Sequence, residues 1–406
     1  MKVDTMRTID RYAGIPLTFI FSLGMSLLRV FRGKVKSPNL KRTLLIELSE
    51  MGSAVLADPA MRKLKSESEA ELFFVIFKSN RKSLDILKTI PYDQVFEMRS
   101  ENLFVLAIDV LKFMVWCRQK RISTIIDLEL FSRFTALLAA LSGASARIGF
   151  AQIHDEGHYR GNIVNFPVRY NPHVHISVNF ISLIHTALGY HDTAYPTQPI
   201  LKESIQIEKA KIEPSQQEIV RKKIQKIYPE YRAQKIFLLN VNASDLLPQR
   251  KWLPERFAAL TQKFLAQYPD WLVIATGAPG EKEYVAEVVN QINHPQCVNS
   301  AGLFLFEELV PLYSLSTMML TNDSGPAHFA SVTDLKIFVI FGPETPALYM
   351  PLGNAEAIYL GLPCSPCVSA TNHRKTSCIT RPCISGIPVE MVYQRMEQWI
   401  MGNFSS

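Results

Sequence analysis

The sequence predicts an α/β protein that contains two doubly wound parallel sheets. Short apolar runs alternate with amphipathic segments of helical length, and this alternation occurs in two series. A polar stretch with Pro196, Pro199 and Pro214 separates the two series. The chain also has 406 residues, which is more than one hydrophobic core usually organises. Strands and helices that alternate in this way form parallel sheets with helices on both faces.

The first series of apolar runs begins after residue 42 and predicts five strands. These are TLLIEL at 43–48, ELFFVIF at 71–77, QVFEM at 94–98, ISTIIDLE at 122–129 and RIGF at 147–150. The segments between them have helical periodicity, and a long amphipathic helix is predicted over residues 102–120. We therefore predict a Rossmann-like domain over residues 41–205.

The second series of apolar runs predicts a second Rossmann-like domain, over residues 206–406. Its predicted strands are IFLLNV at 236–241, LVIAT at 272–276, MML at 318–320 and IFVIF at 337–341. A cysteine-rich loop, residues 363–385, lies near the end of this domain. Ligands of such sheets bind beyond the carboxyl ends of the strands, so the residues that follow these runs are the candidates for a site.

The amino-terminal segment, residues 1–40, needs a separate interpretation. Residues 12–28 carry no charge, and basic residues flank them on both sides. A signal peptide is disfavoured because Asp4 and Asp10 lie in the early part and no small-residue cleavage pattern follows. A membrane-spanning helix needs about 20 apolar residues, and this stretch is shorter and is interrupted by glycine and proline.

We predict that residues 1–40 form an amphipathic helix that lies in the membrane interface. Four polar residues recur at helical spacing and leave a broad apolar face. The polar residues are Thr18, Ser22, Ser26 and Arg29, and the apolar ones are Leu17, Phe19, Ile20, Phe21, Leu23, Leu27, Leu28 and Phe31. An arm packed on the protein's own body remains the alternative interpretation.

Charge and cysteine content restrict the class of partner and the compartment. The formal net charge is +7, which is compatible with anionic lipid or phosphorylated substrates. The basic residues do not combine with an aromatic recognition motif, so we expect no nucleic-acid partner. Four of the six cysteines crowd into one loop, which is unlike a secreted disulfide framework and favours a reducing compartment.

The most informative motif is TNDSGPAHFA at 321–330, which follows a predicted strand and opens a helix. Pro326 suits a first helical turn, and Gly325 lets the backbone approach a ligand closely. Asp323 and Ser324 lie at the helix entrance, where exposed amides and the helix dipole favour a diphosphate. A second strand that ends in a glycine-proline turn, IFVIFGPETP at 337–346, follows it along the chain.

These motifs together resemble the heptosyltransferase family of inverting glycosyltransferases, glycosyltransferase family nine. The resemblance rests on NDSGPAHFA and FGPETP, and on Tyr349, Pro351 and Gly353. It extends through WLPERFAAL at 252–260, GAPGE at 277–281 and LSEMGSAVLADPAM. It implies the two-lobed fold called GT-B, with the donor nucleotide bound by the carboxy-terminal domain.

The resemblance also implies a role for individual residues in donor binding. It places Arg250 and Lys251 beside the leaving diphosphate, where a cation would stabilise the developing negative charge. It implies that Glu281 binds the ribose hydroxyls of the donor. The diphosphate region comprises Asn242, Ser244, Asp323, Ser324, Gly325 and His328. An acid such as Glu281 at the start of a loop could equally cap a helix.

The chain departs from the family pattern where a general base is expected. Family members usually have an aspartate after the glycine of the amino-terminal loop, whereas here Ser53 follows Gly52. A serine does not take a proton at neutral pH without a partner. Glu129, after the strand ISTIIDLE, and Glu50, in the same loop as Ser53, are the candidate bases, with Glu129 slightly ahead. The alternative is that neither acid acts in catalysis.

The histidines and cysteines do not predict a catalytic metal. His154 and His158 have helical spacing, but the composition around them favours a solvated loop. Cys364, Cys367, Cys378 and Cys383 could hold a structural zinc ion, or remain free or bridged thiols. We expect that no cofactor is required.

The predicted function is transfer of a sugar, such as heptose from ADP-heptose, to a lipopolysaccharide-core-type or other lipid-linked glycan, with inversion. The enzyme is expected to be peripheral on the cytoplasmic face of the inner membrane. The alternatives are a catalytically degenerate, membrane-associated protein that binds a nucleotide sugar, and another GT-B enzyme such as a nucleotide-sugar epimerase. Turnover without an acceptor would identify the epimerase.

Overall fold

The computed structural model describes residues 3–154 and 156–404. The chain divides into two compact units, Met1–Gln206 and Ile207–Ser406. Residues 1, 2, 155, 405 and 406 lie outside the described part, so the first two residues of the predicted amino-terminal segment and the last two of the predicted carboxy-terminal domain are not described.

The amino-terminal unit contains a parallel sheet of six strands in the order β3-β2-β1-β4-β5-β6. The strands are β1 (Arg42–Ile46), β2 (Glu71–Phe77), β3 (Val95–Met98), β4 (Thr124–Asp127), β5 (Ala146–Phe150) and β6 (Phe166–Val168). The chain winds outwards from β1 to β3 and then returns to β4 beside β1, so the order of strands reverses between β1 and β4. The edge strand β6 was not predicted, because three residues that include Pro167 leave little periodic signal.

Seven helices accompany this sheet in the described residues. They are α1 (Val3–Tyr12), α2 (Gly14–Arg32), α3 (Met51–Leu56), α4 (Asp58–Glu67), α5 (Leu103–Gln119), α6 (Arg133–Leu141) and α7 (Ile176–Ala187). Helices α3 and α4 are separated at Ala57, because Pro59 lies in the first turn of a new helix. The segment near Ser83 is a 3₁₀ helix, Lys78–Asp85.

Helix α5 forms where it was predicted, but it is not amphipathic in the expected way. Its inner side contributes Phe113 and Cys117 to the core, while its outer side also carries large apolar residues. The prediction was wrong on this point because the polar residues of the segment do not gather on one face. Asp109, for example, is buried in an ion pair with Arg99.

One face of the first sheet carries both α5 and α6. Alternate strand residues such as Leu44 and Phe73 point to this face and share a hydrophobic core with Phe113 of α5 and Leu138 of α6. Helices α1 and α2 pack in turn on α6. Asp10 of α1 accepts a 2.8 Å hydrogen bond from the backbone nitrogen of Phe134. The four helices α1, α2, α5 and α6 therefore belong to the same side of the sheet.

Helix α2 contacts the protein through its polar side. Thr18 and Ser22 are buried, and the Ser22 hydroxyl accepts a 2.9 Å hydrogen bond from the Asn162 nitrogen. Arg29 donates to the Asn162 carbonyl at 2.9 Å. Gly161 has a φ of +58°, and an added Cβ would lie 1.8 Å from the Ser22 hydroxyl, so the close approach requires glycine. Most of the large apolar residues of α2 are left exposed, whereas Phe21 of the predicted apolar face is half-buried. The exposed ones are Ile15, Leu17, Phe19, Ile20, Leu23, Leu27, Leu28, Val30 and Phe31.

The carboxy-terminal unit repeats the topology of the first, with strand order β12-β11-β10-β7-β8-β9. The strands are β7 (Ile236–Asn240), β8 (Leu272–Thr276), β9 (Cys297–Asn299), β10 (Met318–Asn322), β11 (Lys336–Ile340) and β12 (Ala355–Ile358). All neighbours are parallel, and the order of strands reverses between β7 and β10. The edge strands β9 and β12 were not predicted because they are short and only half buried.

Eight helices accompany the second sheet in the described residues. They are α8 (Pro214–Ile227), α9 (Pro254–Gln267), α10 (Lys282–Ile292), α11 (Phe306–Ser314), α12 (Gly325–Ala330), α13 (Pro346–Tyr349), α14 (Pro382–Ser385) and α15 (Val389–Phe404). Trp252 is fully buried, and its indole nitrogen donates to the Ile387 carbonyl at 3.1 Å. This contact joins the start of α9 to the segment before α15. The predicted α/β fold of two doubly wound parallel sheets is confirmed.

Candidate functional site

Predicted donor-binding residues meet at the carboxyl ends of β7 and β10. Two buried asparagines tie the loops after these strands together. Asn240 Nδ2 donates to the Ser324 hydroxyl at 3.2 Å, and Asn322 Nδ2 donates to the Val241 and Asn242 carbonyls at 3.0 and 3.3 Å. Because the strand order reverses here, this is the place where doubly wound sheets bind ligands.

Asn242 offers a polar group at this position. Its side chain is buried, and its Oδ1 atom has no hydrogen-bond partner among the described residues. Burying an unpaired amide oxygen costs free energy, which favours a ligand that satisfies it. A sugar or ribose hydroxyl could donate to this oxygen, and the amide NH₂ of the same group could donate to a phosphate.

The predicted helix entrance exists, but the helix behind it is short. Ser324 precedes the first residue of α12, Pro326 lies in the first turn, and an added Cβ on Gly325 would be 3.3 Å from the Phe329 ring. Helix α12 has only six residues, so its dipole is weak compared with that of a long helix. His328 is buried one turn into it. A diphosphate at this position would therefore depend mainly on polar and cationic side chains for its stabilisation.

Of the two predicted cations, Arg250 is the one that lies beside Asp323. Its Nη1 atom lies 3.6 Å from Asp323 Oδ2, and the guanidinium is largely buried. The backbone nitrogen of Trp252 donates to Asn322 Oδ1 at 2.8 Å, which fixes the segment that carries Arg250. Lys251 points elsewhere, because its Nζ atom is 2.6 Å from Asp245. Arg250 and Lys251 are therefore not equivalent at this position.

Ser244 and Glu281 have local roles in the structure. The Ser244 hydroxyl accepts from the Leu246 nitrogen at 3.3 Å and stabilises the loop after β7. Glu281 Oε2 accepts from the Ala278 nitrogen at 2.7 Å, which is the capping role considered as the alternative for this acid. Contacts of Ser244 with phosphate and of Glu281 with ribose stay predictions.

A polar cluster after β11 was not assigned from the sequence. Glu344 is buried in the turn after this strand, and Arg374 Nε lies 3.5 Å from its carboxylate. The guanidinium of Arg374 also lies 4.6 Å from the centre of the Tyr349 ring and donates to its hydroxyl. Arg374 comes from the cysteine-rich loop, and no local pattern links that loop to the end of β11, so only the structure reveals the contact.

In the amino-terminal unit, Glu129 fastens the loop that follows β1. Its Oε1 atom accepts hydrogen bonds from the Leu48 nitrogen at 2.9 Å, the Ser49 nitrogen at 2.9 Å and the Ser49 hydroxyl at 2.8 Å. Burial raises the pKa of Glu129, and the nearby carboxylates of Asp127 and Glu50 add to this, while the bonds from Ser49 and Leu48 lower it. One carboxylate oxygen is thus committed to holding the loop, which indicates a positioning role.

Glu50 lies beside Ser53, the position at which the sequence departs from the family pattern. The buried Ser53 hydroxyl donates to Glu50 Oε2 at 3.3 Å. A carboxylate is therefore present within one helical turn of the position that normally carries the aspartate. The sequence alone did not predict this contact, because Glu50 precedes α3 and its side-chain direction depends on the loop that Glu129 holds.

Asp127, the last residue of β4, is a structural acid. It is buried, it accepts a 2.7 Å hydrogen bond from the Thr135 hydroxyl, and it forms an ion pair with the fully buried Arg160. Burial raises the pKa of Asp127, and the charge of Arg160 opposes that shift. It joins β4, α6 and the loop that contacts α2.

The four cysteines of residues 363–385 do not form a metal-ligand group in the described part of the chain. Cys367 Sγ instead donates to the Thr376 hydroxyl at 3.5 Å, and Cys378 Sγ accepts from the Arg381 nitrogen at 3.3 Å. Burial raises the pKa of the Cys383 thiol. A structural zinc ion stays a prediction, which metal analysis of the purified protein would test, and we assign it no role in the chemistry.

Comparison with known proteins places this architecture in a family. The model of glycosyltransferase family 9 (heptosyltransferase) matches residues 118–377. The chain is 25% identical over 181 residues to lipooligosaccharide heptosyltransferase 2 of Haemophilus influenzae, which is 43% of this chain and 50% of the relative. It is 31% identical over 142 residues to the Campylobacter jejuni protein of the same name, which is 34% of this chain and 43% of the relative. The alignments span half or less of these curated relatives.

Solved structures agree with the fold over nearly their whole length. ADP-heptose LPS heptosyltransferase II of Escherichia coli superposes with a TM-score of 0.68 at 17% identity, covering 89% of this chain and 99% of that one. A family 9 glycosyltransferase of Veillonella parvula gives 0.66 at 17% identity, covering 91% and 99%. These likenesses confirm the predicted GT-B fold. Because the family model matches more than half of this chain, the chain belongs to glycosyltransferase family 9, the heptosyltransferase family.

Proposed function

We propose that this protein transfers a heptose from ADP-heptose to a lipopolysaccharide-core-type acceptor, with inversion at the anomeric carbon. The observation that carries the proposal is the meeting of Asn242, Arg250, Asp323 and Ser324 where the second sheet reverses its strand order. Related proteins named lipopolysaccharide heptosyltransferase 2, and a heptosyltransferase solved with ADP, support this choice of donor and acceptor.

The donor site would act mainly through electrostatics. As the bond from the anomeric carbon to the diphosphate breaks, negative charge develops on the leaving oxygen. Arg250 carries a permanent positive charge and has several N–H donors, so it would stabilise that charge without a proton transfer. The buried amide of Asn242 and the hydroxyls of Ser244 and Ser324 would add neutral hydrogen bonds. Asp323 would hold the guanidinium in place.

Donor binding would not require a divalent ion. A fixed guanidinium and several hydrogen-bond donors can replace the charge that Mg²⁺ supplies to diphosphates in other enzymes. Isothermal calorimetry with ADP in the presence of a chelator tests this proposal, and affinity should be the same as in buffer with magnesium. Loss of binding in chelator, with recovery on adding magnesium, would overturn it.

The amino-terminal unit would supply the general base through Glu50. This carboxylate would take the proton of the acceptor hydroxyl as that oxygen attacks the anomeric carbon. Glu129 would hold the loop that carries Glu50 in its active conformation, because it accepts three hydrogen bonds from that loop. Ser53 would orient Glu50 by donating to it.

The protein would work at the cytoplasmic face of the inner membrane. Helix α2 has the length and composition of a membrane span, yet it packs along one side on the amino-terminal unit. A helix that lies flat in the interface satisfies both observations, because its exposed apolar residues can enter the acyl region while its polar side stays on the protein. A lipid-linked acceptor would then reach the enzyme by diffusion in the membrane plane.

A transfer assay with ADP-heptose and a lipid-linked core acceptor tests the function. Glu50→Gln should lower the rate about 100-fold to 10,000-fold, the usual contribution of a general base, and ADP affinity should not change. Glu129→Gln should lower the rate less and should make the residue 47–51 loop more accessible to hydrogen exchange. Ser53→Ala, which removes only the hydroxyl that donates to Glu50, is the comparison variant and should have a mild effect on the rate.

Three outcomes would contradict parts of this assignment. An unchanged rate for Glu50→Gln would remove Glu50 as the base. A larger loss for Glu129→Gln, without faster exchange in the loop, would move the base to Glu129. A wild-type protein that binds ADP-heptose but transfers to no glycan would favour the catalytically degenerate binding protein.

A further inference from the structure

Helix α5 exposes large apolar side chains on its outer side. Leu103, Phe104, Leu111 and Val115 are 54%, 75%, 63% and 55% exposed. The last three follow one another at intervals of seven and four residues, which places them on one line along the helix. Scattered apolar residues on a surface are normal, but a continuous stripe on one helix indicates a contact with another apolar phase.

This stripe lies on the same side of the amino-terminal unit as α2. Helices α5 and α6 cover one face of the sheet, and α1 and α2 pack on α6. Met6 of α1 packs against the core cluster that contains Phe113 of α5. The exposed apolar side of α2 and the stripe of α5 are therefore two parts of one side of the unit, with α1 and α6 belonging to it as well.

The charged groups on this side favour an anionic surface. The two acids whose side chains are described in α1 and α5 are used internally: Asp10 pairs with Arg133, and the buried Asp109 pairs with Arg99. Exposed basic residues remain around the apolar ones. They are Arg11, Lys34, Lys36, Lys112, Arg118 and Arg121, and they outnumber the exposed acid Glu101, which lies two residues before α5. This combination of exposed apolar residues and a basic rim complements a bilayer that contains anionic lipids.

A second copy of the chain fits this side less well. Facing two such surfaces against each other would bring the basic residues of both copies together, and like charges that meet across an interface oppose association. A bilayer supplies both an apolar phase for the stripe and negative headgroups for the rim. Charge complementarity thus selects the membrane over a dimer.

We propose that α5 is a second membrane-contact element, and that α2 and α5 together fix the orientation of the amino-terminal unit on an anionic bilayer. The inference deepens the membrane location proposed above by adding a contact outside the amino-terminal segment. With two separate contacts the unit is held against rotation about the α2 axis. One helix alone would leave that rotation free.

The test uses the full-length protein and vesicles of phosphatidylglycerol and phosphatidylethanolamine. Phe104→Ser, Leu111→Ser and Val115→Ser, combined in one variant, should weaken binding about tenfold or more, since each side chain would lose burial in the acyl region. Ile219→Ser, which alters a half-exposed apolar residue of α8, is the matched control and should bind like the wild type. Thermal unfolding of each variant checks that the fold is retained.

A direct readout comes from Phe104→Trp. The fluorescence of the introduced indole should shift to the blue and be quenched by brominated lipids when vesicles are added, beyond the response of the wild-type tryptophans. An unshifted signal from this indole, together with unchanged binding of the α5 serine variant, would overturn the inference while leaving attachment through α2 intact.

A third variant separates this inference from the membrane location itself. Phe19→Ser, Ile20→Ser and Leu23→Ser on α2 should weaken vesicle binding independently of α5. If this variant also binds like the wild type, the membrane location fails as well. Sedimentation of the protein without lipid tests whether the stripe is a dimer interface. A wild-type dimer that the α5 serine variant converts to a monomer would assign the stripe to a subunit interface and overturn the inference.

Discussion

At the scale of single residues, the proposed donor site relies on Arg250, a cation whose position is fixed by the protein. Arg250 is held by Asp323, and the next residue, Lys251, is paired with Asp245. Adjacent positions with the same charge therefore differ in what they can offer a ligand. Arginine also suits a diphosphate better than lysine does, because its planar group donates two parallel hydrogen bonds.

We predict that Arg250→Ala weakens ADP affinity by about 1.5 to 3 kcal/mol, the range for a charge-assisted hydrogen bond. Calorimetry measures this change. Lys251→Ala should have the smaller effect, since its ammonium group is engaged by Asp245, and Arg232→Ala, on an exposed turn of the same unit, should have none. Equal losses for Arg250 and Lys251 would contradict the distinction between them.

A second residue-scale prediction concerns stability in acid. His185 is buried in α7 with its ring 4.9 Å from that of Tyr190, and burial lowers its pKa to about 4. An unfolded histidine has a pKa of about 6.5, so between these values the unfolded chain binds more protons than the folded one. Stability contributed by the neutral, buried ring is therefore present above about pH 6.5 and is lost as the pH falls towards 4.

His185→Phe should remove this part of the pH dependence, because phenylalanine can pack on Tyr190 without taking up a proton. Urea unfolding between pH 4 and 7 should show the wild type losing on the order of 1 to 3 kcal/mol more than the variant on acidification. His173→Phe, at an exposed histidine, is the control. Identical pH profiles for wild type and His185→Phe would show that this histidine does not contribute.

At the scale of elements, two loops carry the candidate site and both are held by hydrogen bonds between distant segments. Glu129 holds the loop after β1, and Asn322 holds the loop after β7. In both units the fastened loop lies where the order of strands reverses. Polar side chains at these positions thus serve the fold and the site together.

The amino-terminal helices depend on a similar contact. Asp10 accepts from the Phe134 nitrogen at the start of α6 and pairs with the buried Arg133, so it caps α6 while it docks α1. Asp10→Ala should destabilise this docking by about 1 to 2 kcal/mol, which corresponds to roughly 5-fold to 30-fold faster proteolysis of residues 1–40. Asp10→Asn should have a smaller effect because its amide oxygen can still accept. Unchanged proteolysis of both variants would exclude this role of Asp10.

At the scale of the whole molecule, net charge and exposed apolar surface act in the same direction. In the proposed membrane location, the net charge of +7 would attract the chain to anionic lipid, and the apolar side of α2 would retain it there. The two contributions respond differently to salt, because screening weakens the electrostatic part and leaves burial of apolar area largely unaffected.

We predict that added salt weakens binding to vesicles that contain phosphatidylglycerol without abolishing it. Each basic residue near the surface contributes about 1 kcal/mol at low salt. Cosedimentation over a salt series measures the decrease, and phosphatidylcholine vesicles provide the control for the residual apolar part. Complete release at high salt would show that α2 does not enter the bilayer, and salt-independent binding would remove the electrostatic contribution.

Local sequence was sufficient for most of the elements and for the family. Period-two and period-3.6 patterns are properties of neighbouring residues, so nine of the strands could be located from the sequence alone. The TNDSGPAHFA motif was equally accessible, because a strand end, a glycine and a first-turn proline are adjacent in the chain. The short edge strands β6, β9 and β12 were missed because a few half-buried residues leave almost no periodic signal.

Contacts between distant residues could not be obtained in that way. Glu129 and the Ser49 that it binds are 80 residues apart, and nothing near either position indicates the hydrogen bond that distinguishes Glu129 from Glu50. The same applies to α2, whose amphipathic pattern identified a polar side but not the direction in which it faces. That side points into the protein because Asn162 and Gly161 meet it there. Sequence periodicity determines which residues share a face, whereas tertiary packing determines what that face contacts.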